Sequence, residues 1–255
     1  MDISKDLRYD YPNAKVIDNR DLEKQNNNII VVCEHATNHL PEGYSWSEHD
    51  TKYFKDEHWG SDLGALELAK ILAKELKVIL LHSLYSRLLV DVNREPGSEG
   101  LFRKSGDGQI VELNKDLTIE EEEKRLSTYH FGFFEAMRDI SENIDPHYVI
   151  CVHSFTPLYE GRKRELEIGV LVPQNFLELA KKICKQFKEK GYNAEINQPY
   201  DATEMIVAND TLFRAHYPIK REGFTLEVRN DLLTNPETLR KIAADVVEIC
   251  KNIFL

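Results

Sequence analysis

Ile29-Ile30-Val31-Val32-Cys33-Glu34-His35-Ala36-Thr37-Asn38 opens with four β-branched residues in an uncharged run and ends on an acid, a histidine and a polar turn. An unbroken apolar run without in/out alternation is the pattern of a parallel strand buried on both faces. In open α/β sheets, ligands gather just beyond the carboxyl ends of such strands. His35 stands at such an end, and the rest of the chain is read by asking what else reaches the same rim.

Outward from that strand, apolar runs and helical periodicities alternate. Asp62 opens an amphipathic helix in which Leu66, Ala69, Leu72, Ala73 and Leu76 recur at helical spacing, with Asp62 at the N-cap position. Lys77 to Leu81 reads as a strand, and Leu88-Leu89-Val90 as a shorter extended piece. Glu95 to Asp116 is rich in glycine and reads as a loop. Thr118 starts a helix, with acids in its first turn, that extends to about Asn143. Tyr148 to Val152 is an apolar strand ending at His153. Strands follow over Glu167–Val172, Asn193–Asn197 and Phe224–Val228, and helices over Asn175–Lys190 and Pro236–Ile253. Residues 1–28 are polar and read as a tail and a turn. The alternation predicts one α/β domain over residues 1–255: a three-layer fold with a mostly parallel, mixed sheet and helices on both faces.

Composition limits the partners. The 255 residues carry a net charge of -11, with 42% hydrophobic and 30% charged residues. That field disfavours a nucleic-acid backbone or an anionic membrane, while a local group of arginines still admits a small anionic substrate. No run is apolar and long enough to span a bilayer, and the first residues carry no signal-peptide core, so a cytoplasmic location is expected. Cys33, Cys151, Cys184 and Cys250 have no CxxC spacing and sit in apolar settings, as reduced core residues do.

Four residues carry the chemical reading. His35 and His153 each end a strand, and Asp62 begins a helix, so parallel neighbouring strands would bring all three to one rim. Two imidazoles and a carboxylate form a common catalytic zinc shell. Taken singly, each histidine is equally a hydrogen-bonded strand end, and Asp62 a helix cap. Glu227 lies inside an apolar strand, where a carboxylate is costly. It either pairs with an arginine such as Arg229 or serves as a proton shuttle with a raised pKa. Ser86-Arg87-Leu88-Leu89-Val90-Asp91-Val92-Asn93-Arg94 sets two arginines seven apart around a short apolar piece. Converging them needs a bend, and they serve either carboxylate recognition or surface ion pairs.

These segments resemble the N-formylglutamate amidohydrolase family. The likeness spans about residues 29–233 and is carried by Cys33–Asn38, His58–Ala65, Ser86–Arg94, His153–Pro157, Asn197–Tyr200 and Glu227–Asp231. It implies a phosphorylase/hydrolase-like α/β fold related to zinc carboxypeptidases, and hydrolysis of an N-acyl amino acid, in the family's named reaction N-formyl-L-glutamate to formate and L-glutamate. A more remote similarity to zinc-dependent cell-wall amidases implies His35, Asp62 and His153 as ligands of zinc or another divalent ion, with Glu227 as the catalytic carboxylate. Those amidases carry Glu at the position of Asp62, which leaves Glu57 and His58 as rival ligands. The resemblance further implies Arg87, Asn93, Arg94, Arg229, Tyr200 and Thr211 as substrate contacts, Asn38 as a substrate or loop-holding contact, and His58, Asp91 and Ser154 as supports of the ligands. His216 stands five residues after Thr211, where family members often space the pair by four.

Overall fold

The computed structural model describes residues 8–20, 28–159, 161–202 and 222–255. Eight strands form one sheet: β1 (Asp10–Tyr11), β2 (Ala14–Asp18), β3 (Ile29–Cys33), β4 (Ile79–Ser83), β5 (Tyr148–Phe155), β6 (Ile168–Leu171), β7 (Ala194–Ile196) and β8 (Glu222–Arg229). Their order is β1-β2-β4-β3-β5-β8-β6-β7. The centre, β4-β3-β5-β8, is parallel throughout, β2 and β6 join it antiparallel, and β7 is parallel to β6. The fold is therefore the expected mixed, mostly parallel sheet layered with helices.

Side-chain parity divides the core. Val31, Cys33, Ile150, Val152, Leu226 and Val228 point to one face. That face is covered by α1 (Ala65–Leu76), α4 (Leu177–Glu189) and α5 (Pro236–Phe254). Ile30, Val32, Val149 and Cys151 point to the other, against Phe133, Ala136, Met137 and Ile140 of α3 (Phe131–Asn143). α2 (Ile119–Arg125), capped by Thr118 as its sequence predicts, leads into α3 through a widened helical turn. The chain leaves β3 for β4 on one side and takes up β5 on the other, so the sheet's topological switch point lies between β3 and β5.

Four expectations change. Residues 10–18 are not a tail: they pair onto β4 as a hairpin. An edge strand needs only alternate apolar residues, here Ala14 and Val16, so it lacks the continuous run that marks the centre. Asp62 does not cap α1. The cap is Gly64 at φ 80, a left-handed conformation, and a Cβ there would lie 2.5 Å from that of Leu233. Leu88-Leu89-Val90 is not a strand but part of successive turns. His153 lies within β5 rather than beyond it. The glycine-rich segment also contains a small hairpin, Ser105–Gly106 with Gln109–Ile110.

Candidate active site

His35 and His153 come together because they lie at the carboxyl ends of the two strands that flank the switch point. The rings meet edge to face with centroids 4.9 Å apart. Asp62 joins them through the backbone, its N–H bonded to the His35 carbonyl at 2.9 Å. Its carboxylate Oδ2 lies 2.7 Å from His153 Nδ1 and 3.5 Å from His35 Nδ1, so both Nδ1 atoms face the same oxygen. Ligand atoms of His35, Asp62 and His153 all lie within 4.8 Å of one another, and all three residues are buried.

The opposite nitrogens are held by further buried acids. His35 Nε2 contacts Asp91 Oδ1 at 2.7 Å, and His153 Nε2 contacts Glu34 Oε2 at 3.1 Å. Asp91 thus holds the His35 imidazole with Nδ1 inward, the usual way a ligating histidine is oriented, while Glu34 faces His153 Nε2 at ion-pair distance without a hydrogen bond. Burial opposes charge on His153, but Glu34 and Asp62 outweigh it and push its pKa well above the usual imidazole range. Burial would likewise raise Asp62, and the two imidazoles outweigh it, lowering its carboxyl. The cluster favours positive charge at its centre, and His35 Nδ1 has no hydrogen-bond partner among the described residues. Two imidazole nitrogens and a carboxylate oxygen, with one nitrogen unspent, fit a tetrahedral divalent ion with one open position.

Glu227 reaches the site from β8, in register with His153 of β5 on one side and Gly169 of β6 on the other. It makes no ion pair with Arg229, and its Oε2 is buried without a hydrogen-bond partner among the described residues. Burial pushes the carboxyl up to about 8, with His153 opposing and Asp62 adding to the shift.

The turns at 86–94 bring Arg87 and Arg94 to one cavity. Leu89 N–H bonds to the Ser86 carbonyl, and Arg94 N–H to the Asp91 carbonyl. The Asp91 side chain accepts from Asn93 N–H at 2.9 Å, curling the chain. Arg87 donates to Asp91 at 2.9 Å and to Asp62 at 3.5 Å, so it serves the carboxylates on either side of His35. A cavity of about 630 Å³ opens in front of these groups. Asn93, Arg94, His58, Ser154 and Tyr200 line it, as do Trp59, to which the sequence assigned no role, and Arg103 and Tyr159, which carried no signal there.

Other expected residues fall elsewhere. Arg229 is not at the cavity: Asp231 and the carbonyls of Arg164, Glu165 and Leu166 take up its guanidinium. Asn38 holds a loop, donating to the Lys55 carbonyl and Asp56. Glu57 is exposed and lines no part of the cavity, whereas His58 lines it, packed on Trp59 with centroids 4.6 Å apart. Ser154 donates its hydroxyl to the Leu63 carbonyl and its N–H to Asp62. Thr211 and His216 lie outside the described residues. Glu34, to which the sequence assigned no role, faces His153. Its signal was a charge placed directly after a doubly buried strand.

The family profile described as N-formylglutamate amidohydrolase matches residues 27–234. The chain belongs to that family. It is accordingly an amidohydrolase of the α/β class. Among solved structures it resembles the gene product Atu2144 from Agrobacterium tumefaciens, with a TM-score of 0.81 and 26% identity, over 94% of each chain. It also shares the fold of an N-formylglutamate amidohydrolase from Ralstonia eutropha JMP134. There the TM-score is 0.63 and identity 16%, over 89% of this chain and 93% of that one. No curated protein matches the chain.

Proposed function

We propose that the protein is a divalent-metal hydrolase, with zinc the best fit to the donor set, that cleaves the amide of an acidic N-acyl amino acid. N-formyl-L-glutamate, giving formate and L-glutamate, is the substrate that family membership favours. The observation that carries the reading is the pair of buried histidines facing Asp62, with Glu227 on the next strand, its buried Oε2 without a hydrogen-bond partner among the described residues.

His35, Asp62 and His153 would hold the ion, and Asp91 and Glu34 would fix the imidazoles. When bound, such an ion supplies a Lewis acid that polarises the acyl carbonyl and acidifies water. Glu227 takes a proton from the attacking water and passes it to the departing nitrogen, so that water and amide become formate and a free amine. A carboxyl whose pKa lies near neutrality suits both halves of that transfer. Asn93 and Arg94, which line the cavity, grip a substrate carboxylate in this reading.

Purified protein is expected to contain about one divalent ion per chain. Chelation should abolish formate release and zinc should restore it, while His153→Ala should lose the ion. A panel of N-acyl amino acids, followed by product detection, fixes the acyl group and the amino acid released. Full activity in metal-free protein would overturn the proposal.

A further inference from the structure

Three arginines line the cavity, and they are not equally engaged. Arg87 is engaged with Asp91 and Asp62. Arg94 and Arg103 also line the cavity, and neither has a carboxylate within ion-pair distance among the described residues. Arg103 instead lies over the ring of Trp59, 4.9 Å from its centroid. Burial, and then the fields of Arg87 and Arg94, lower its pKa, as expected where like charges converge.

The support under Arg103 is built rather than loose. Trp59 Nε1 donates to Asp107 Oδ2 at 2.7 Å, fixing the indole. Gly106 packs flat against that ring, where a Cβ would come within 2.8 Å of Trp59 Cε2. The Arg103 carbonyl accepts from Asn114 Nδ2 at 2.8 Å, and Asn114 also bonds Leu88 and the buried Arg125. A stacked guanidinium keeps its in-plane N–H groups free for a planar anion.

We propose that Arg103, stacked on Trp59 beside Arg94, binds the side-chain carboxylate of an acidic substrate and so selects dicarboxylic over monocarboxylic N-acyl amino acids. This rests on the hydrolase reading for its substrate class, but not on the chemical step. Arg94 grips one carboxylate and Arg103 the other. The glycine-rich segment thus sets specificity, while the strand ends set chemistry.

The test uses the zinc-loaded full chain and two probes, glutarate with two carboxylates and butyrate with one, measured by calorimetry for wild type, Arg103→Met and Arg103→Lys. Arg103→Met should weaken glutarate binding about 10- to 100-fold, as loss of a charge-assisted pair does. It should change butyrate binding less than about threefold, and Arg103→Lys should recover part of the loss. With N-formyl-L-glutamate, KM should rise while kcat stays within about threefold, since the contact is shared by ground and transition states. Equal loss for both probes, no loss for either, or no glutarate binding by wild type would each overturn the proposal. Wild type that binds glutarate through Arg103, yet releases no formate from N-formyl-L-glutamate, upholds it and rejects the substrate proposed above.

Discussion

Glu227 separates a catalytic carboxylate from a structural one by two measurements. Glu227→Gln keeps the shape and removes the base, so kcat should fall about 10²- to 10⁴-fold with metal content retained. Loss of the ion in that variant would instead make Glu227 a ligand. Stability gives the second measurement. The folded value of about 8 lies above the ordinary 4.5, so the folded state binds the proton more tightly between those values. The stability this provides is present below about pH 4.5 and lost as pH rises through 8. In chelator, the Tm of Glu227→Gln should therefore exceed wild type by more at pH 8 than at pH 5. An equal gap at both pH values would contradict the buried-acid reading. At this scale the sequence was readable where chemistry leaves a mark, such as a carboxylate in an apolar strand. It was silent on Arg103, because only the fold shows which arginines lack acidic partners.

Between β6 and β8, Gly169 decides how closely Glu227 can sit to the neighbouring strand. A Cβ there would fall 2.0 Å from the Gln198 carbonyl oxygen and 3.1 Å from Glu227 Cβ. Gly169→Ala should cost about 1–3 kcal/mol through overpacking. The Tm should fall by several degrees, and kcat should fall as Glu227 is displaced. Unchanged melting and turnover would show that the strand yields without moving the base. The elements themselves were legible in proportion to their burial. Central strands and amphipathic helices announced themselves by pattern, whereas the edge hairpin at 10–18 and the turns at 86–94 did not. Those turns depend on the Asp91 side chain bonding Asn93 N–H, and composition alone does not reveal that contact. Asp62 was located correctly for a reason the structure replaces. It serves His153 and Arg87, and the helix begins behind Gly64.

Across the molecule, the four cysteines share one fate. All are buried; burial pushes the thiols of Cys184 and Cys250 up to about 12 and those of Cys33 and Cys151 well above their usual value. A thiol reagent at pH 8 should label none of them rapidly in the native protein and all four in guanidinium. Rapid native labelling would place a thiol at the surface. No described helix is long and apolar enough to cross a membrane. The alternation of elements foretold the layered sheet, but its strand order was hidden, because pairing between distant segments leaves no local pattern.

That order carries a consequence for biosynthesis. β8 is the last strand made, yet it is seated in the interior of the sheet, between β5 and β6. His35, Asp62 and His153 all emerge from the ribosome before it, and Glu227 emerges with it. A nascent chain therefore carries both histidines and Asp62 while it still lacks the buried carboxylate of β8. On the proposed function, hydrolysis awaits the strand that completes the sheet between β5 and β6.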